Sequence, residues 1–270
     1  MFAQINHMAM TSAQWPMLGR FYEAVFGLKT SNKSRPMNGF TLSDGYCGMN
    51  INPRRDGYVG GLDHFGMVVE DVEKVLDRMR RKHTDADIVK RPSTRPFAAY
   101  SGHDPDGNVF DLAQKDQNTI SDVYAQQAAQ GWHQDRYLNK FTIRTPHADK
   151  VADFYQDVFE LKPANIQADA PGYHLTDGRV TLSIMKWSIP LFEGMAIKRP
   201  GPDHIGFHVE SIEALKADVQ KVIDGCTFLA PVPLGGNKEG QTRKRLLERS
   251  ATGSYQLSDP DGCWIDVTEG

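Results

Sequence analysis

Two copies of a short motif in this chain differ at one position where a side chain could bind a metal ion. The first copy, Ile-Asn-His, ends at His7, and the second, Leu-Asn-Lys, ends at Lys140, which is 133 residues later (7 to 140). A neutral imidazole offers a lone pair to a metal, whereas a protonated lysine has only N–H donors and repels a cation beside it. Metal chemistry at this position is therefore predicted for the first half of the chain.

The repeat continues through both halves. The stretch Phe-Tyr-Glu-Ala-Val-Phe-Gly-Leu-Lys, which begins at Phe21, returns 133 residues later as Phe-Tyr-Gln-Asp-Val-Phe-Glu-Leu-Lys. An Asp-His motif recurs with His64 and His204, and the turn Asp-Pro-Asp-Gly recurs before hydrophobic strands that carry Asp111 and Asp266. A period this long fits two homologous domains and is too long for a solenoid of short repeats.

Hydrophobic periodicity predicts the elements that position these residues. Each half opens with a strand, at residues 3–10 and 137–144, and continues with a helix whose apolar residues recur at helical spacing. Short strands punctuated by turns follow, and the pattern restarts with a strand around residues 64–69. Each half therefore contains two βαβββ units, and the predicted fold class is α+β with four such units in tandem.

The predicted domain division follows the repeat. An N-terminal domain covers residues 1–115, a polar linker rich in Gln and Ala covers 116–136, and a C-terminal domain covers 137–270. A Gly- and charge-rich insertion at about 235–253 lengthens the spacing between shared motifs to 155 (111 to 266). We interpret this insertion as a solvated face, and a mobile lid over a site is the alternative.

Composition limits the classes of partner. The 270 residues, 40% of them hydrophobic and 24% charged, suffice for two ordinary globular cores. A net charge of -3 gives no general attraction to nucleic acid or acidic membranes, so a small-molecule substrate is the expected partner. The sequence leaves open whether the chain forms a homo-oligomer. The sequence shows neither a signal-peptide pattern nor an apolar run of roughly 18 residues, and a cytoplasmic location is expected. Three widely spaced cysteines argue against a disulfide framework.

In order and duplication, these motifs resemble the vicinal oxygen chelate superfamily, which includes glyoxalase I, the fosfomycin and bleomycin resistance proteins and the type I extradiol dioxygenases. The resemblance covers nearly the whole chain and implies two cup-shaped domains, each built from two βαβββ units. It implies metal ligands at His7, His64 and Asp111. The equivalent residues of the second half are Lys140, His204 and Asp266. Because lysine cannot ligate while protonated, the second half is expected to be metal-free.

Three functions are compatible with this ligand set. Two imidazoles and a carboxylate on one face of a metal leave adjacent positions for a chelating substrate and dioxygen, which favours Fe(II) and cleavage of a small aromatic diol, as in extradiol dioxygenases. The same set holds Mn(II), Zn(II) or Ni(II) for lyase or isomerase chemistry of the glyoxalase type. A metal-free protein that binds a drug or metabolite is the third alternative.

Each ligand also has a structural interpretation. A single strand histidine, or an aspartate after a turn, is more often a satisfied structural residue than a ligand, so the prediction depends on the three residues together. The family usually has Glu at the third position, and Asp111 is one methylene shorter. Its strand must therefore lie closer to the metal or bind it through water.

The resemblance further implies a Tyr and a His that orient and deprotonate the substrate, and the candidates are Tyr100 and His103. Tyr100 is five residues before the turn proline, whereas the family pattern has four, which places Ser101 in the expected slot. A one-residue shift on a regular strand reverses the face unless a bulge corrects it. An imidazole such as His103 works as acid or base near neutral pH, although a turn histidine facing water is the alternative.

Overall fold

The computed structural model describes most of the chain. The described residues are 1–30, 39–91, 98–115, 134–167, 169–187 and 200–270. The predicted linker, 116–136, lies mostly outside them, so the domain boundaries at 115 and 137 stay predictions. Within the described ranges, no helix combines the length and the apolar character needed to cross a membrane.

In its described residues, the first half forms an eight-stranded mixed sheet with two helices. Its strands are β1 (Ala3–Ser12), β2 (Lys29–Thr30), β3 (Phe40–Ser43), β4 (Gly48–Pro53), β5 (Gly61–Val69), β6 (Asp87–Lys90), β7 (Tyr100–His103) and β8 (Val109–Gln114). Helix α1 (Trp15–Phe26) follows β1, and helix α2 (Val72–Lys82) follows β5. The strand order is β2-β3-β4-β1-β5-β8-β7-β6, so the first strands of the two βαβββ units, β1 and β5, lie side by side near the centre.

The described part of the second half repeats this arrangement with seven strands in its sheet. Its strands are β9 (Tyr137–Thr145), β10 (Lys162–Pro163), β11 (Tyr173–Thr176), β12 (Thr181–Lys186), β13 (Gly201–Val209), β14 (Tyr255–Ser258) and β15 (Trp264–Glu269), in the order β10-β11-β12-β9-β13-β15-β14. Its helices are α3 (Ala148–Phe159), α4 (Ile212–Gly225) and α5 (Lys238–Glu248). Helix α5 occupies most of the predicted insertion. The α+β class and the four tandem units that form two cups are confirmed.

The first helix of each half ends in the left-handed conformation. Helix α1 ends at Gly27, with φ 67°, and helix α3 ends at Glu160, with φ 57°. Glu160 is the one non-glycine residue with positive φ among the described residues. Glycine adopts this conformation without steric penalty, whereas the Cβ of glutamate is crowded by the backbone. The two copies of the repeat therefore end the same helix with different strain.

The two halves share one hydrophobic core. Helix α1 contacts α4 of the second half, and α2 contacts α3. The ring of Phe26 stacks on that of Phe207, with centroids 3.9 Å apart. The buried cluster of aliphatic and aromatic side chains runs through both halves without interruption. Each sheet is thus covered in part by a helix from the other half.

Reciprocal hydrogen bonds join the halves at the Asp-Pro-Asp-Gly turns. The hydroxyl of Tyr22 donates to Asp259 at 2.8 Å, and the equivalent hydroxyl of Tyr155 donates to Asp104 at 3.2 Å. Burial raises the pKa of Asp259 to about 7, although the hydrogen bonds that its carboxylate accepts act to lower that pKa. A second reciprocal pair consists of backbone N–H groups that donate to carboxylates, Ile5 to Asp177 at 2.7 Å and Leu138 to Asp44 at 2.8 Å. The duplication is therefore visible in the contacts as well as in the sequence.

Candidate metal centre

Three adjacent strands of the first sheet carry the predicted ligands. His7 lies on β1, His64 on β5 and Asp111 on β8. In the registers of these strands, Gly66 on β5 pairs with His7 on one side and with Asp111 on the other. His64 is two residues before Gly66 and shares its face, because side chains alternate along a strand. The three side chains therefore converge over the glycine.

Gly66 provides the space for this convergence. A Cβ atom built at Gly66 would lie 1.9 Å from Cε1 and 2.4 Å from Nδ1 of His7. The imidazole thus lies directly over the glycine α-carbon, where any larger residue would displace it. We did not predict this role from the sequence, although the glycine of the Asp-His-Phe-Gly motif and its repeat at Gly206 gave a signal for it.

The ligand atoms of the three side chains are close enough to surround one ion. Nε2 of His64 lies 3.2 Å from Oδ2 of Asp111, and Nε2 of His7 lies 3.9 Å from the same oxygen. All three ligand atoms lie within 4.8 Å of one another. Metal–ligand bonds of roughly 2.0–2.2 Å at right angles separate ligand atoms by about 3 Å, so a small inward movement of His7 completes the set. The shorter Asp111 reaches the cluster directly.

Burial and mutual contacts set the protonation of the cluster. Burial lowers the pKa of His7 to about 3, and the charge on His64 adds to the effect. Burial also disfavours the charged form of His64, but hydrogen bonds with Asp111 and Asp63 outweigh it and raise the pKa of His64 to about 9. Burial opposes ionisation of Asp111, yet hydrogen bonding from His64 holds its pKa well below the usual range. His7 and Asp111 thus have the forms that ligate metals, and metal binding by His64 releases its proton.

Two side chains from outside the predicted set contact Asp111. The hydroxyl of Ser101 donates to Oδ1 at 2.5 Å, and Nη1 of Arg91 donates to Oδ2 at 3.4 Å. Ser101 lies directly opposite Asp111 in the register of β7 and β8. The carboxylate is therefore fixed through one oxygen, while its other oxygen faces the histidines and a partly exposed guanidinium.

The predicted catalytic pair divides between the two faces of β7. Ser101 faces Asp111, so the neighbouring Tyr100 side chain lies on the opposite face, where it packs against the hydrophobic core. His103 lies two residues beyond Ser101 and on its face, and its Nδ1 contacts the backbone carbonyl of Asp104 at 2.9 Å. Neither the hydrogen bond of His103 nor the core packing of Tyr100 involves a residue of the ligand cluster. Both catalytic roles stay predictions.

Comparisons with known proteins agree with this architecture. The family model described as the Glyoxalase/Bleomycin resistance protein/Dioxygenase superfamily matches residues 4–112 and again 137–267. The chain belongs to this superfamily. Among curated proteins, no sequence matches this chain.

Solved structures of other members of the superfamily share the fold at low identity. A Mn(II)-bound glyoxalase from Novosphingobium aromaticivorans has a TM-score of 0.63 and 13% identity, over 99% of this chain and 82% of that one. The 2,3-dioxygenase LapB from Pseudomonas sp. KL28 has a TM-score of 0.60 and 15% identity, over 99% and 92% of the two chains. An extradiol ring-cleaving dioxygenase from B. fuscum has a TM-score of 0.58 and 14% identity, over 100% and 72%. At such identities these likenesses show the fold alone.

The second superfamily domain holds an ion pair at the equivalent position. The ammonium group of Lys140 donates to Asp266 and, at 2.7 Å, to the hydroxyl of Thr252. Gly206 pairs with Lys140 and Asp266 as Gly66 pairs with His7 and Asp111. Of the side chains that the structure describes, only the first-half trio forms a cluster of three or more potential ligands. The absence of metal from the second half stays a prediction.

Two histidines on strand β13 of the second half, His204 and His208, have structural partners. Nε2 of His204 contacts the hydroxyl of Thr142 at 3.0 Å, and its Nδ1 contacts Asp203 at 2.7 Å. His208 stacks on Tyr137, with ring centroids 4.6 Å apart. Beside Lys140 lies a cleft of about 310 Å³ whose walls are mainly amide and hydroxyl side chains. This cup is therefore open but is organised around a cation that the chain itself supplies.

Proposed function

We propose that this chain is a metal-dependent enzyme that binds a small chelating substrate at His7, His64 and Asp111 and cleaves an aromatic diol with dioxygen. The observation that supports the proposal is the convergence of two imidazoles and one carboxylate on one face of the first cup. Three protein ligands on one face leave adjacent positions for two substrate oxygens and dioxygen, an arrangement typical of non-haem Fe(II). Similarity in fold to a 2,3-dioxygenase and to an extradiol ring-cleaving dioxygenase adds to this support.

In this proposal the metal is Fe(II), with Mn(II), Zn(II) or Ni(II) as alternatives. A divalent ion held by these residues would act as a Lewis acid toward the substrate oxygens. The residues of the chain would hold the ion and compensate the charge of the bound substrate. His7, His64 and Asp111 supply the ligand atoms, and the guanidinium of Arg91, beside Oδ2 of Asp111, offsets the negative charge of a deprotonated diol. His103 is the proposed proton acceptor, since it shares the face of β7 on which Ser101 contacts Asp111.

One observation favours a second candidate function, a lyase or isomerase reaction of the glyoxalase type. Ser101 occupies the position where the dioxygenase pattern implies a tyrosine, and Tyr100 packs into the core. An enzyme that stabilises an enediolate needs the metal as a Lewis acid and does not need a tyrosine to orient a catechol. The likeness to a Mn(II)-bound glyoxalase is consistent with this alternative.

The test begins with protein purified without oxygen and without chelators. Elemental analysis compares the wild type with His7→Ala and with the matched variant Lys140→Ala. We expect about one equivalent of a divalent metal per chain, lost in His7→Ala and retained in Lys140→Ala. Oxygen uptake is then measured on a panel of catechols and hydroquinones with the Fe(II)-loaded enzyme.

The outcomes separate the candidate functions. Stoichiometric oxygen uptake that His7→Ala abolishes supports ring cleavage. Turnover of 2-oxoaldehyde–thiol adducts by the Mn(II) or Zn(II) enzyme under argon favours the lyase or isomerase reaction. If no divalent ion binds the wild type, both enzymatic proposals fail, and a metal-free binding protein becomes the best explanation.

A further inference from the structure

Two β-bulges lie next to the two ligand histidines. In the pairing of β1 with β5, Ile5 opposes Met67 and His7 opposes Gly66, so Asn6 is the extra residue of a bulge. In the same pair, Ala9 opposes His64 and Met10 opposes Leu62, so Asp63 is the extra residue of a second bulge on β5. Bulges re-aim side chains and are common next to active sites.

Each bulge lets a histidine bond to the side chain just before it. Consecutive side chains of a regular strand point to opposite faces and cannot meet. Here Nδ1 of His7 lies 2.9 Å from Oδ1 of Asn6, and Nδ1 of His64 lies 2.8 Å from Oδ2 of Asp63. An amide oxygen and a carboxylate oxygen only accept hydrogen bonds, so each imidazole donates from Nδ1 to its partner and directs Nε2 to Asp111. In His64 this leaves Nε2 as the nitrogen that gives up its proton when a metal ion binds.

We propose that Asn6 and Asp63 are positioning residues that fix the tautomer and the ring orientation of the two ligand histidines. The proposal rests on the metal site of the proposed function. The partners differ in charge, because Asn6 is a neutral amide and Asp63 is a carboxylate. A carboxylate raises the basicity of the imidazole that donates to it, which makes His64 the stronger metal ligand of the two.

The second half shows what these bulge positions do without a metal ligand. Asn139 and Asp203 occupy equivalent bulges. With Lys140 in place of the histidine, the amide of Asn139 donates instead to the hydroxyl of Thr268 at 2.7 Å. Asp203 still contacts His204, but its side chain is 3% exposed and forms an ion pair with Arg144, whereas that of Asp63 is 54% exposed. The bulge asparagine thus contacts the next residue where that residue is a histidine, as in Asn6 and His7, and turns to another partner where it is a lysine.

The test measures metal affinity and the ligand field, not turnover. Co(II) and Mn(II) are titrated anaerobically into the full-length wild type and variants, with dissociation constants from competition with a chelator and with the visible Co(II) spectrum recorded. We expect Asp63→Ala and Asn6→Ala to weaken binding by about 10- to 100-fold and to shift the Co(II) bands. Asp63→Asn keeps the acceptor and loses the charge, so we expect a smaller loss. Asn139→Ala, the matched variant in the second half, leaves affinity and spectrum unchanged.

Each outcome decides a separate question. Wild-type affinity and wild-type Co(II) bands in both alanine variants overturn the positioning role and leave the proposed function intact. Failure of the wild type to bind either ion overturns the proposed function and this inference together. If the buried Asn6→Ala variant does not fold, as judged by thermal unfolding of the metal-free proteins, Asp63→Ala and Asp63→Asn decide, because that side chain is half exposed.

Discussion

The two cups of this protein place different side chains on the same backbone arrangement. In each, a glycine on the second central strand leaves room for the side chain that lies across it, His7 over Gly66 and Lys140 over Gly206. An aspartate faces that side chain from the next strand. In the first cup the pair can complete a metal site with His64, and in the second the ammonium of Lys140 bonds directly to the carboxylate.

The residue on the first strand therefore decides whether the facing aspartate has an ammonium partner from the chain itself. The buried carboxylate of Asp266 receives its counter-charge from a side chain fixed in the chain, so it is compensated as soon as the domain folds. Asp111 is contacted by His64 and Arg91 and can in addition accept a divalent ion. A buried carboxylate needs compensation in either case, because an unpaired charge in the interior is costly.

The largest effect is expected at the glycines. Gly66→Ala places a methyl group where the ring of His7 lies, so the imidazole must move and the affinity for Mn(II) or Co(II) should fall on the order of 100-fold or more. Gly206→Ala brings a Cβ within 2.7 Å of Asn139 Oδ1 and of Lys140 Cβ. That variant should lose about 1–3 kcal/mol of unfolding free energy and keep its metal affinity. Metal titration and urea unfolding of both variants test the contrast, and wild-type metal affinity in Gly66→Ala would contradict it.

A smaller effect is expected from removal of the internal cation. Lys140→Met leaves Asp266 buried and without its ammonium partner, although N–H groups of Thr252, Gly253 and Gln256 still donate to it. We expect a loss of about 3 kcal/mol in the free energy of unfolding, measured in urea at neutral pH, with metal affinity unchanged. The double variant Lys140→Met, Asp266→Asn should recover part of the loss because it removes the buried charge. Unchanged stability of Lys140→Met would show that the donors compensate the carboxylate by themselves.

The smallest effect concerns the ends of the two repeated helices. Glu160→Gly removes the steric strain at φ 57° and should raise the free energy of unfolding by about 0.5–1 kcal/mol, reduced by the lost surface ion pair with Arg78. Gly27→Ala should lower it by about 1 kcal/mol, because alanine is strained where glycine is not. Glu160→Gln is the matched control, since it removes the charge and keeps the strain. If Glu160→Gln stabilised the protein as much as Glu160→Gly, the stabilisation would come from removal of the charge and not from relief of strain.

The second copy of the repeat adds a comparison for Tyr100. Tyr255 occupies the equivalent position of the second half, five residues before its own turn proline. Both tyrosines pack against the core, and the residues after them, Ser101 and Gln256, hydrogen-bond to the aspartates. A tyrosine present in both halves, only one of which carries the ligand histidine on its first strand, fits packing better than catalysis. The one-residue shift from the family pattern already predicts this face, because side chains alternate along a strand, and the second copy agrees with it.

The sequence by itself determined the duplication and the four βαβββ units, and its family resemblance pointed to the three residues that the structure brings together as potential metal ligands. The duplication and the units follow from motif spacing and hydrophobic period, which can be read along the chain, whereas the choice of ligands depended on the resemblance. Only the tertiary structure decided which groups surround the ligands: Arg91 and Ser101 beside Asp111, Asn6 and Asp63 behind the histidines, and Gly66 beneath His7. Strand register and bulges fix these contacts, and a shift of one residue leaves composition and period unchanged while it reverses the face of every side chain.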